Sequence, residues 1–222
     1  AMNAGKKVYT VRKASGEVNL SCDETIWTAA DRLSIDEYPW YTGGQKQATT
    51  VAALYDADAI YLLFVCEDKH IYAVETRPNG DVYKDSCVEF FANVNPEKGN
   101  DYFNFEVNCC GTIHLAYGPD RYNRTLAPDD VLEMIRVSTS IPTPTKEESP
   151  SDDGWWLAAA IPFTAISRLT GYPVEVNSGT IWEANFYRCG GKTDPQYACW
   201  NPIATPKPDF HQPKYFGILK FE

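Results

Sequence analysis

The chain has 222 residues, 44% of them hydrophobic and 23% charged, and a net charge of −10 at pH 7. That length is enough to bury the core of one large all-β domain or two small ones, and the negative balance argues against a nucleic-acid surface, which needs clustered Lys and Arg. No apolar run approaches the roughly 20 residues of a membrane span, and the opening AMNAGKKVYT has no signal-peptide h-region, so any export signal is expected outside this sequence.

Taken in chain order, the first clear signal is ATTVAALYDADAIYLLFVCED. Two β-rich arms, Thr49–Tyr55 and Ala59–Glu67, flank an Asp-Ala-Asp turn and predict a hairpin. SCVEFFANV and YFNFEVNCC predict a second hairpin across the loop NPEKGND, and GTIHLAYG extends it after Gly111. Further strands are expected in EMIRVSTSI, GWWLAAAIPF, TIWEANFYRCG and YFGILKFE, separated by the polar loop IPTPTKEESPSDDG and the Pro-rich NPIATPKPDFHQP. Helical signals are few. TIWTAADRLSIDEY holds a turn or two, and FTAISRLTG reads as a short helix closed by Gly171. Many strands without a βαβ rhythm predict an all-β fold, an antiparallel β-sandwich of jelly-roll or immunoglobulin-like type with one or two short helices, as a single domain over residues 1–222.

The seven cysteines are an odd number, so they cannot all pair within one chain. Cys66, Cys87, Cys109 and Cys199 sit in strand-like runs and read as small buried hydrophobes. With no C-x-x-C pair, a structural zinc site is not expected. Trp27, Trp155 and Trp182 read as core residues, while Trp40 and Trp200 stand at loop edges.

The second hairpin places charge where a buried strand would not need it. Val88, Phe90 and Ala92 share one face, as do Phe103, Phe105 and Val107, because side chains alternate with period two. Pairing Val94 with Asp101 sets Phe90 opposite Phe105, Glu89 opposite Glu106 and Cys87 opposite Asn108. The other face then carries Glu89, Asn104, Glu106 and Asn108. Two acids directly opposite would stand roughly 4.5–5.5 Å apart at Cβ, which like charges disfavour. A shared proton, a cation or a ligand with hydroxyl donors would compensate. Otherwise both lean into solvent beside a Lys or Arg, and Arg188 could neutralise them.

Four segments then resemble the carbohydrate-binding modules of family 9, within a wider DOMON-like group of sandwiches: LYDADAIYLLFVCED, YKDSCVEFF, GWWLAAAIPF and DFHQPKYFGILKF, in that order from about Trp27 to the C-terminus. The resemblance implies non-catalytic binding of an oligosaccharide or polysaccharide, in polysaccharide catabolism beside a xylanase-type parent enzyme or within a surface assembly. It implies a secreted, periplasmic or cell-surface location. Two aromatic rings clamp the sugar in such modules, and local spacing carries these positions onto Tyr83 and Phe210, where the family typically has Trp. Glu89 matches a hydroxyl-binding Glu, Asn108 matches an Asn, and Glu106 stands where the family pattern has Arg. Arg188 and His211 join the expected ligand-binding set. Relatives can hold structural calcium, for which Asp152 and Asp153, or Asp56 and Asp58, are the oxygen-rich candidates, although no twelve-residue calcium loop is present.

Three other readings stay open. A glycoside hydrolase would use Glu89 and Glu106 as its carboxylate pair. An adhesion or assembly module would use a sheet edge. A haem-binding member would draw its axial ligands from Met2, Met134, His70, His114 and His211.

Overall fold

The computed structural model describes residues 5–222; Met2 lies outside the described residues. In chain order the strands are β1 (Val8–Lys13), β2 (Arg32–Ser34), β3 (Thr49–Tyr55), β4 (Ala59–Glu67), β5 (Cys87–Asn93), β6 (Tyr102–Asn108) and β7 (Ile113–Gly118). After them come β8 (Thr125–Leu126), β9 (Arg136–Thr139), β10 (Gly154–Pro162), β11 (Ile181–Cys189), β12 (Ala198–Cys199) and β13 (Gly217–Phe221). The two α-helices are short, α1 (Asp129–Leu132) and α2 (Phe163–Thr170).

The strands form a β-sandwich whose two sheets share β1. The first sheet runs β8-β7-β6-β5-β11-β13-β1, and the second runs β1-β3-β4-β10-β9. β1 makes the corner: Val8 to Val11 pair with β13, and Arg12 and Lys13 pair with β3. Both pairings are parallel, so the sandwich is not wholly antiparallel as expected. KKVYTVRK carries no turn beside it to announce a hairpin, and its partners lie far along the chain, which is why a local reading passes over it.

The expected hairpin of β3 and β4 has the predicted bounds, and β5 pairs with β6 in the predicted register, Phe90 to Phe105 and Glu89 to Glu106. Between the sheets, Phe90 stacks on Phe186 at 4.9 Å, and Phe186 reaches Phe64 of the facing sheet at 6.4 Å. Each ring so buried contributes about 1.5–3 kcal/mol relative to exposure. Trp27, Trp155 and Trp182 are all buried, as is Trp200. α2 turns Phe163, Ala165 and Ile166 inward and ends at Gly171, whose φ of 83° suits a residue without Cβ.

Each sheet also has an outer face, and chain segments fold over both. Val18 and Trp27 cover Ala52, Leu54, Leu63 and Ala158 on the second sheet. On the first sheet, Ile203, Phe210 and Phe216 cover Phe91, Tyr102 and Tyr187. This second cover leaves part of the floor open.

Candidate functional site

The open part is a cleft of about 490 Å³. Its floor is Glu89 and Glu106, which the antiparallel register places side by side, with Cys189 next to Glu89. Its walls come from Tyr83 before β5, His114 on β7, Arg121 and Arg124 in the β7–β8 loop, and Tyr197, Asp209, Phe210 and His211 from the late loops. The site therefore lies on the outer face of the first sheet, not at an end of the sandwich.

Both acids are buried, at 3% and 5% exposure, so neither leans into solvent. Glu106 Oε2 accepts a hydrogen bond from Asn104 Nδ2 at 2.7 Å and lies 3.9 Å from Arg124 Nη1. Glu89 Oε2 has the Cys189 thiol at 2.8 Å. Burial pushes both carboxyls above the ordinary range, Glu89 further, because Cys189 and Glu106 add to the effect. His114, Asn104 and Arg124 oppose it at Glu106. Of the pair, Glu89 is pushed up further, and a tendency to hold a proton there eases the like-charge conflict expected on this face.

The walls hold polar atoms that nothing satisfies. His114 Nδ1 lies 3.0 Å from the Asn79 carbonyl oxygen and 3.1 Å from that of Gly80, so Nδ1 donates and Nε2 is the ring nitrogen left over. That Nε2 has no hydrogen-bond partner among the described residues, nor does Arg124 Nη1, whose contact with Glu106 is longer than a hydrogen bond, nor Asn104 Oδ1 on the same sheet face. Buried polar atoms rarely remain unpaired, and each costs about 1–3 kcal/mol if it does. Two half-exposed rings, Tyr83 at 48% and Tyr197 at 40%, stand beside them. Open aromatic rings next to unpaired donors and acceptors suit a ligand with both apolar faces and hydroxyl groups.

The sequence profile of carbohydrate-binding family 9 matches residues 17–221. The chain belongs to that family. Among solved structures, this family 9 chain is similar to a candidate carbohydrate-binding protein from Bacteroides uniformis ATCC 8492, at 27% identity and a TM-score of 0.88 over 98% of this chain and 100% of that one. A family 9 module from Caldicellulosiruptor kristjanssonii in complex with cellotriose matches at 16% identity and a TM-score of 0.63, covering 97% and 94% of the two chains. The Caldicellulosiruptor kristjanssonii family 9 module in complex with glucose matches at 18% identity and a TM-score of 0.62, covering 97% and 96%. These last two likenesses concern the fold. No curated protein matches the chain.

Of the site residues expected in this family 9 chain, Tyr83, Glu89, Glu106, Phe210 and His211 border the cleft, and two do not. Asn108 is fully buried and donates to the Glu75 carbonyl and to Asp85 Oδ2, both at 2.9 Å, so it ties down the loop before β5. Arg188 is excluded by parity: it pairs with Val88, not with Glu89, and its side chain enters the sandwich. There it meets Asp68 at 3.2 Å and donates to Thr49 Oγ1 at 2.9 Å, so it cannot neutralise the Glu pair. Arg124, from a loop with no strand pattern, stands closest to that role.

Phe210 is also more deeply placed than a free clamp. Only 9% of it is exposed, and its ring stacks on Tyr187 at 4.3 Å. Tyr197, which sequence reasoning missed, is the more open ring on that wall. His211 Nδ1 is 2.7 Å from the Tyr102 hydroxyl, and its ring lies 4.8 Å from that of Phe91. Burial first, then the Arg124 and Arg121 charges, lower its pKa to about 3, so it stays neutral. His114 had a legible signal, since it pairs with Glu106 once GTIHLAYG is set in register.

The acids considered for calcium are engaged by the protein itself. Asp152 Oδ2 accepts from the backbone N–H groups of Ile71 and Ser149, and Asp153 pairs with Lys69 at 2.6 Å. Asp56 organises its own turn, accepting from the N–H groups of Asp58 and Ala59 and from the Tyr61 hydroxyl. Neither pair belongs to a group of three ligating side chains among the described residues.

Proposed function

We propose that the chain binds a short gluco-configured saccharide non-catalytically in this cleft. The observation that carries the reading is the set of unpaired polar atoms, His114 Nε2 and Arg124 Nη1, on the walls of a cleft floored by Glu89 and Glu106 and flanked by the open rings of Tyr83 and Tyr197. Sugar hydroxyls both donate and accept, and so would meet His114 Nε2, the donor on Arg124 and the carboxyl oxygens together. Tyr83 and Tyr197 would lie against the apolar faces of the ring. The volume falls within the roughly 300–1,000 Å³ of small-ligand sites. The complexes of the Caldicellulosiruptor kristjanssonii modules with cellotriose and glucose favour gluco-configuration. A shallow site of this kind binds in the millimolar to micromolar range, roughly −4 to −8 kcal/mol. Such a module would serve polysaccharide breakdown beside a catalytic partner of xylanase type or within a surface assembly.

The buried Glu89 and Glu106, both pushed up and Glu89 further, also raise glycoside hydrolysis as a second reading. Both acids rise from opposite positions on one sheet face, however, so they address the same side of a ligand and not its two flanks. Calorimetric titration with gluco-, xylo- and manno-oligosaccharides, followed by product analysis of the same mixtures, separates the readings. Saturable binding of cello-oligosaccharides without products is the expected result. Cleavage would replace the binding reading with hydrolysis, and no heat across the panel would reject both.

A further inference from the structure

The floor of the cleft holds a second chemistry, which shares only Glu89 with saccharide recognition. Cys87 on β5 and Cys189 on β11 are direct partners across an antiparallel pair, so their side chains leave the same face next to each other. Glu89, two residues after Cys87, rises on that face as well. One donor atom from each of the three lies within 4.8 Å of the others, the only such group among the described residues. Glu89 Oε2 is 2.8 Å from Cys189 Sγ and 3.9 Å from Cys87 Sγ. All three residues are buried, at 0%, 3% and 2% exposure, yet Glu89 and Cys189 border the open cleft.

We infer that Cys87, Glu89 and Cys189 form a site for one thiophilic divalent cation of the Zn²⁺ class, with a fourth coordination position open to the cleft. Two thiolates and one carboxylate are a soft donor set that favours zinc over calcium or magnesium. Three protein ligands with one open position are the arrangement of a zinc site that admits an exogenous ligand. Zn–S bonds of about 2.3 Å and Zn–O bonds of about 2.0–2.2 Å in a tetrahedron place the donors roughly 3.5–3.8 Å apart. The separations here fall on either side of that range, so the Cys and Glu side chains would rotate to take up the ion. The wall supplies counter-charge, because Arg121 and Arg124 face a centre that would carry one net negative charge beside Glu106.

Without a cation, burial favours the protonated forms in this cluster. Burial pushes the Cys87 thiol up to about 12, and Cys189 and Glu89 also rise, Cys189 first through its contact with Cys87 and then through burial. A cation would take the place of those protons and release them. The two cysteines lie on strands far apart in the chain, so no C-x-x-C spacing could have revealed them. The inference shares Glu89 with the saccharide reading but does not depend on it, because its test reads the metal itself.

The test is a Co²⁺ titration of the reduced full chain, followed by absorption. The expected result is one Co²⁺ per chain, with a thiolate-to-cobalt charge-transfer band, tetrahedral d–d bands, proton release, and displacement by one equivalent of Zn²⁺. Cys87→Ser and Cys189→Ser should each weaken Co²⁺ binding by more than the ~10–100-fold that loss of an outer-shell partner costs. Substituting the two partly exposed thiols instead, Cys22→Ser with Cys110→Ser, should leave the bands unchanged. If the buried cysteine variants do not fold, Glu89→Gln keeps both sulfurs and should still shift the d–d bands and weaken binding. No charge-transfer band in the parent chain, a stoichiometry other than one, or bands that survive the double Cys87→Ser, Cys189→Ser change would overturn the site. So would two missing thiols in the unreduced chain that reductant restores and cobalt does not protect, since the pair would then be a disulfide.

Discussion

On the outer face of the second sheet, Val18 and Trp27 settle onto Ala52, Leu54, Leu63 and Ala158, small or aliphatic residues that leave room for the indole. The covering segment there meets an apolar floor and closes it. On the outer face of the first sheet the cover is only partial. Phe210 and Phe216 seat on Phe91, Tyr102 and Tyr187, but Glu89 and Glu106 further along remain at the bottom of a cleft. Both floors are buried strands of regular geometry, and the difference is what the alternate residues carry. An apolar floor draws its cover down, whereas a carboxyl pair needs a polar partner and keeps the cover away. The first becomes structure and the second a site.

The sharpest way to break this comparison is to strip each cover in turn. Trp27→Ala should cost about 3–5 kcal/mol, since it opens a cavity under a fully buried indole, and should leave saccharide affinity unchanged. Denaturant unfolding together with a saccharide titration measures both. Phe210→Ala should do less to stability, about 2–3 kcal/mol, because the ring lies at the cleft edge over Tyr187. It should also weaken saccharide binding, so that stability and affinity fall together. Normal stability with lost binding would make Phe210 a pure clamp, and loss of stability alone would make it pure packing.

The acid floor sharpens the contrast through pH. Glu89 has its carboxyl raised above 4.5 by burial, so the folded chain holds that proton more tightly than the unfolded chain. Its stabilising share is complete below that value and is lost as pH rises from 4.5 towards the folded-state pKa. Relative to the parent, Glu89→Gln should therefore gain stability with rising pH through that window, as melting temperatures at stepped pH would show. A parallel pair of curves would mean that Glu89 ionises in the fold without penalty. The smallest effect belongs to the exposed acids. Asp153→Ala removes a surface pair with Lys69 and should change the melting temperature little, and added calcium should shift neither protein.

Much of this contrast was legible in the sequence because strand parity is unforgiving. A one-residue slip in CVEFF would have buried both acids between the sheets, so the register of β5 and β6 could be written from the Phe and Glu positions alone. The same parity, continued along FYRC, would have turned Arg188 away from Glu89. The expectation that Arg188 neutralises the acids passes over that parity. β1 escaped notice because its partners, β13 and β3, are distant and parallel. The walls were the hardest part. His114 follows from register, but Arg121, Arg124 and Tyr197 reach the cleft through loop geometry that no periodicity encodes.

The central claim is that the cleft above Glu89 and Glu106 holds the saccharide. Its most direct test is a two-dimensional NMR titration with cellotriose, with the Tyr83, Tyr197 and His114 ring signals and the Arg124 side chain assigned. The account predicts saturable shifts at these four residues and none at Trp27 or Tyr61 on the outer face of the second sheet. Shifts concentrated on that second face, or at the ends of the strands, with the cleft residues silent, would contradict it.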